Sequence, residues 1–158
     1  MSITTNAIVA FGISLYMDQE IPWEAGADTA GTAVNVEDWW LKVNGYEPPF
    51  KVVDERGNGL DGVQVPQRKK DAYWKHYWAA LKANPLPVKI VLHCTRDCPM
   101  YIVAVPGTVT EAYRHYPRAI TLLRPDPKAI RRVTDFCERF GLKGEGPDWW
   151  LASLLLVS

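Results

Sequence analysis

Apolar and polar positions alternate at period two from Ile8 to Met17. Val9, Phe11, Ile13 and Leu15 are bulky, and Ala10, Gly12 and Ser14 between them are small. That alternation predicts a strand. Its small face predicts a close approach to the backbone near Gly12. Two later runs, Val88–Cys94 and Met100–Val105, are separated by Thr95-Arg96-Asp97-Cys98-Pro99, which predicts a hairpin. The second run is apolar on both faces, as expected of a strand inside the sheet with both sides covered. Ala119–Leu123 reads as another short strand. The near-continuous apolar run Trp149–Val157 predicts a buried strand, with a helix capped by Asp148 as the alternative.

Elsewhere the period lengthens to that of a helix. Asn35 is a good N-cap for a short helix over Val36–Val43, with Asp38 in the capping-box position and Gly45 as the residue after the C-cap. Its expected apolar face is Val36, Trp39, Trp40 and Val43. Pro66 opens a longer helix, Gln67–Lys82, with an expected stripe of Trp74, Tyr77, Trp78 and Leu81 and a stop at Asn84-Pro85. Asp126 caps a third helix with Pro127 in its first position, Ile130, Val133, Cys137 and Phe140 as its core stripe, and Gly141 at its end. Glu47–Val65 is a turn region with Lys51–Val53 as a short strand, and Asp18–Val34 is an acidic surface loop. The expected fold is α+β and two-layered: a mostly antiparallel sheet of four to five strands packed by two main helices, in one globular domain over residues 1–158.

Composition narrows the function classes. Hydrophobic residues are 47% of the 158, enough for a core that needs no disulfide or metal. No run approaches the roughly 20 apolar residues of a membrane span, and the start lacks a basic, then apolar leader. The expected location is therefore the cytoplasm, with Cys94, Cys98 and Cys137 as reduced thiols. Net charge is zero, but residues 1–50 carry seven acids against one base and residues 51–158 carry seventeen bases against eleven acids. The acidic third folding against the basic remainder accounts for this more simply than a nucleic-acid surface.

Candidate chemistry is sparse. His93, Cys94, Asp97 and Cys98 form the densest reactive cluster, and Gly12, His93 and Asp97 outline the pocket of an alternative reading, a small enzyme or ligand-binding protein. Neighbours on a strand point apart, so His93 is poorly placed to activate Cys94. The plainer reading makes Asp97 a turn residue, Cys94 a buried thiol and His93 a surface group. His93, Cys94, Cys98 and Cys137 make only one ligand pair, too few for structural zinc. Gly57-x-Gly59-x-x-Gly62 has the letters of a dinucleotide loop, but it leads into Val63–Val65 and Pro66 rather than a helix. No cofactor or metal is expected. Arg68, Lys69, Lys70, Arg131 and Arg132 offer a nucleic-acid alternative. Trp74, Tyr77 and Trp78 fit the core stripe and the bases the opposite, wet face, so a solvated amphipathic helix is the plainer reading.

Seven tryptophans, Trp23, Trp39, Trp40, Trp74, Trp78, Trp149 and Trp150, are the most informative residues. On a strand, Trp149 and Trp150 must face opposite ways, so one needs cover that the helices on the other face do not supply. Trp149, Trp150, Trp39, Trp40 and Tyr101 are therefore the expected protein-binding residues. Asp-Trp-Trp-Leu occurs at 38–41 and 148–151, too short a match to indicate duplication.

Three stretches carry a resemblance: Asn6-Ala7-Ile8-Val9-Ala10-Phe11-Gly12-Ile13, His93-Cys94-x-x-Asp97-x-Pro99-Met100-Tyr101-Ile102, and Trp149-Trp150-Leu151-Ala152-Ser153. Together they resemble small proteins of tailed phages and prophages to which no activity is attached. The resemblance implies an accessory protein of the host bacterial cytoplasm. Such a protein binds a host or phage protein and inhibits a host enzyme or defence system. The leading expectation is thus a non-enzymatic protein binder, with a homodimer as an open alternative.

Overall fold

The computed structural model describes residues 3–24, 35–47, 65–94, 99–113 and 119–157. The fold is α+β, and the described residues form five strands in one mostly antiparallel sheet and three helices. In chain order the elements are β1 (Ile3–Leu15), α1 (Val36–Val43), α2 (Gln67–Ala83), β2 (Lys89–Cys94), β3 (Pro99–Ala104), β4 (Thr110–Tyr113), α3 (Pro127–Arg139) and β5 (Gly144–Val157). Contacts group the chain into two compact units. One is Met1–Ala25 with Pro87–Ser158, and the other is Gly26–Leu86.

In the first unit the strand order is β3-β2-β5-β1-β4, and β3 also pairs with β1. β1 and β5 run antiparallel over almost their whole length, from Ile3↔Val157 to Leu15↔Gly144. The other edge of β1 takes β4 along Asn6–Val9 and β3 along Gly12–Ser14. β2 and β3 form the expected hairpin, Lys89↔Ala104 to Cys94↔Pro99. β3 is therefore paired on both edges at Ile102–Ala104, and all three residues are buried. This bears out the expectation drawn from its two apolar faces.

One face of the sheet packs on itself. Ile8, Ala10, Val91, Ile102 and Ala104 form a core with Val109, Trp150 and Ala152 against it. α3 contacts β1 and β3 but contributes nothing to that cluster. It therefore covers the opposite face, where Phe11, Ile13, Leu15 and Val103 lie. Its N-cap is Asp126, whose carboxylate accepts the Lys128 N–H at 3.0 Å, with Pro127 in the first turn. The buried α3 residues are Ala129, Val133, Phe136 and Cys137. Phe136 thus joins the expected stripe, while Ile130 and Phe140 are only half-buried.

Trp149–Val157 is strand, as expected, and β5 begins five residues earlier at Gly144. Its described side chains are not buried as expected: Leu151 and Ser153 are exposed and Trp149, Trp150 and Ala152 half-buried, because no helix among the described residues closes over that stretch. Ala119–Leu123 is not a strand; it is exposed chain, and the short strand lies before it at Thr110–Tyr113. Of the acidic loop, residues 25–34 lie outside the described residues. Its start, Asp18–Glu24, is fastened to the sheet: Gln19 exchanges two hydrogen bonds with the Lys143 backbone, at 2.6 and 2.7 Å, and Ile21 and Trp23 are buried.

The second unit holds α1 and α2. The Asn35 side chain accepts the Glu37 N–H at 3.0 Å, and Gly45 takes φ +76°, as the cap residues predict. The buried face of α1 is Trp40 and Leu41, and Val43 is exposed. In α2 the buried residues are Tyr73 and Tyr77, whereas Trp74 is 38% and Trp78 58% exposed. The expected stripe is thus rotated by one residue. Aromatics at 73, 74, 77 and 78 supply two rows at spacing four, and helical period alone cannot choose between them. Lys51–Val53 and the Gly57–Gly62 turn lie outside the described residues. No helix among the described residues is long and apolar enough to cross a membrane.

Candidate functional site

The two C-terminal tryptophans face opposite ways on β5, each half-buried. Trp149 meets Phe11 edge-to-face at 5.4 Å, on the α3 side. Trp150 lies against the inner cluster and donates its indole N–H to the Gly12 carbonyl at 2.8 Å. Leu151, two residues beyond Trp149 on its face, is 77% exposed. Among the described residues β5 meets β2 at one register pair only, Cys94↔Leu154. Among the described residues its Gly144–Ser153 stretch has register partners on β1 alone.

The other aromatics expected to bind are placed differently. Tyr101 is half-buried, donates its hydroxyl to Glu24 at 2.5 Å and meets Trp23 edge-to-face at 5.5 Å. Burial, then the Glu24 carboxylate, pushes its pKa up. Trp40 is buried and gives its indole N–H to the Asn84 carbonyl at 2.9 Å, joining α1 to the end of α2. Trp39, beside it at 6.3 Å, is half-buried.

Gly12 marks a close approach, and the partner is β3 itself. A Cβ at Gly12 would lie 2.2 Å from the Val103 carbonyl oxygen. His93 is buried rather than exposed, because its face is the inner one shared with Val91. Burial lowers its pKa. Its Nε2 has no hydrogen-bond partner among the described residues, and the same holds for Oδ1 of buried Asn6. The fold does not bring Gly12 and His93 together: Gly12 is level with Lys89, since both pair with Ala104. Four residues of strand, about 13 Å, separate that level from His93. Asp97 and Cys98 lie outside the described residues. Cys94 is half-buried with its Sγ 3.4 Å from the Met100 sulfur, and Cys137 is buried in α3. Among the described residues no three His, Cys, Asp or Glu side chains cluster as metal ligands.

The basic residues lie on two helices. Arg68 and Lys69 are exposed and Lys70 half-buried on α2, and Arg131 and Arg132 are exposed on α3. Arg131 approaches Asp135 at 3.9 Å in a solvent-exposed pair. The reason for setting aside α2 as a nucleic-acid surface does not survive. Trp74 and Trp78 stack 6.5 Å apart outside the core, on the helix that carries those bases.

Sequence reasoning missed one concave site. A groove of about 490 Å³ in the second unit is lined by Asp38, Leu41, Lys42, Gly45, Tyr46, Glu47, Tyr73 and Tyr77. The rings of Tyr73 and Tyr77 stack at 6.3 Å and 20°. Burial raises the pKa of Tyr46, Tyr73 and Tyr77, and the Asp38 carboxylate raises each further. The signal present in the sequence is Tyr73 and Tyr77 at helical spacing, of which the expected stripe includes only Tyr77. No family model, curated protein or solved structure matches this chain.

Proposed function

We propose that the protein acts by binding another protein along β5, as a phage accessory protein acting on a host or phage target. The observation that supports this reading is Leu151, 77% exposed beside half-buried Trp149 on a stretch of β5 that, among the described residues, has register partners on β1 alone. A stretch of strand without register partners on one side offers its backbone N–H and C=O groups to an extended segment of a partner, and Trp149 and Leu151 supply apolar contact on one face. Inhibition of a host enzyme or defence system then follows by occlusion. The test is affinity capture from host lysate with the wild-type protein and Leu151→Glu, read by mass spectrometry. A specific protein held by the wild type and lost from a variant with the same unfolding midpoint supports the reading. Identical capture by both proteins rejects it.

A second reading is favoured by one observation, the outward stack of Trp74 and Trp78 on the helix that also carries Arg68, Lys69, Lys70 and Lys75. Exposed indoles on a helix rich in cations suit the bases and phosphates of a single strand. Oligonucleotide retention that falls steeply with salt and is lost in Trp78→Ala would favour it over protein binding.

A further inference from the structure

We propose that the tyrosine-lined groove between α1 and α2 binds an organic ammonium group. Its size, about 490 Å³, is that of a small-ligand site. Its chemistry selects for positive charge in three ways. First, Tyr46, Tyr73 and Tyr77 present aromatic rings, whose faces attract a cation. Second, Asp38 and Glu47 place two carboxylates in the lining against a single Lys42 ammonium. Lys42 is exposed in the last turn of α1, so its charged end can stay in water while its stem lines the groove. Third, the groove takes in the C-terminal end of α1 at Leu41, Lys42 and Gly45, where backbone carbonyls carry partial negative charge.

The hydroxyl of Tyr46 adds an independent sign of a ligand. Its oxygen is buried and has no hydrogen-bond partner among the described residues. A buried polar atom left in that state costs stability unless something else satisfies it. Tyr77 is 3% exposed and lines the groove, with the Asp38 charge close enough to act on its hydroxyl. The groove is thus aromatic and acidic together, which suits a methylated or alkylated ammonium better than a neutral molecule or an anion. The same head group is found free, as in choline, or on a peptide, as in Nε-trimethyl-lysine.

Calorimetric titration of the full chain tests this. The probes are choline, a short peptide bearing trimethyl-lysine, and 3,3-dimethylbutan-1-ol, the neutral isostere of choline. Saturable binding of a cation, at least about 3-fold tighter than the isostere, is expected. Asp38→Asn and Tyr46→Leu should each weaken it by about 3- to 30-fold. Asp38 is exposed, so its variant isolates charge from folding. Preference for choline over the peptide identifies a free metabolite, and the reverse identifies a modified protein. Equal affinity for the isostere, binding unchanged in Asp38→Asn, or no saturation by either cation at 50-fold excess over about 1 mM overturns the proposal.

Discussion

The indole N–H of Trp150 donates to the carbonyl oxygen of Gly12 at 2.8 Å, across 138 positions of sequence. This bond joins β5 to β1 at the point where β3 also closes on β1. The register there is Gly12↔Ala104 on one side and Gly12↔Asp148 on the other. A side chain at Gly12 would collide with the Val103 carbonyl, 2.2 Å from the added Cβ. Gly12→Ala should therefore destabilise the protein by about 3 kcal/mol, because the obstacle is backbone and cannot rotate away. Trp150→Phe keeps most of the ring and loses the donor, at a cost of about 1 kcal/mol. Urea unfolding of both variants measures these losses.

The two ends of the exposure scale should separate cleanly. Ile102 is paired on both edges and 1% exposed, so Ile102→Ala should cost about 2–5 kcal/mol. Leu151→Ala should stay within about 0.5 kcal/mol of wild type. A large loss at Leu151 in equilibrium unfolding would show that it is covered, and the proposed contact surface would go with it.

In α2 the same comparison tests which aromatic row is core. Tyr73→Ala should cost on the order of 3 kcal/mol, and Trp78→Ala less than about 1 kcal/mol. The reverse order would restore the stripe expected from the sequence.

His93 makes stability depend on pH with a definite sign. Burial lowers its folded-state pKa below the ordinary value of 6.5, so the unfolded chain binds the proton more readily. The contribution is complete above about pH 6.5 and is lost as pH falls through the lowered folded-state value. The urea midpoint should fall on acidification from pH 7, and it should fall less in His93→Leu. That substitution also removes the unpartnered Nε2. Parallel pH profiles for the two proteins would contradict the assignment.

Burial pushes the Cys137 thiol up to about 11, so it is protonated and enclosed at pH 8. In a Cys94→Ser, Cys98→Ser background, alkylation of Cys137 should be slow in buffer and should accelerate with urea in step with unfolding. Fast labelling of the native protein would place Cys137 outside the core.

What could be read from the sequence was local. Asn35 and Asp126 accept their own helix's backbone N–H groups two residues on, and Pro127 fits the first turn wherever that helix packs. The period-two face of β1 and the doubly apolar β3 carried their burial in their own spacing. Of the candidate site, the opposed faces of Trp149 and Trp150 followed from strand geometry alone. The first residues of β1 were not legible, because Ile3–Asn6 have weak alternation and are held by pairing with Leu154–Val157 at the far end of the chain. The tyrosine groove was not legible either, because Asp38 and Tyr77 become neighbours only when α1 and α2 pack. Tertiary structure also decided which of two equivalent aromatic rows on α2 turned inward, and it turned His93 into the core. The physical reason is range. Caps, turns and periods depend on bonds within a few residues. The choice of buried face depends on which distant surface arrives to cover it.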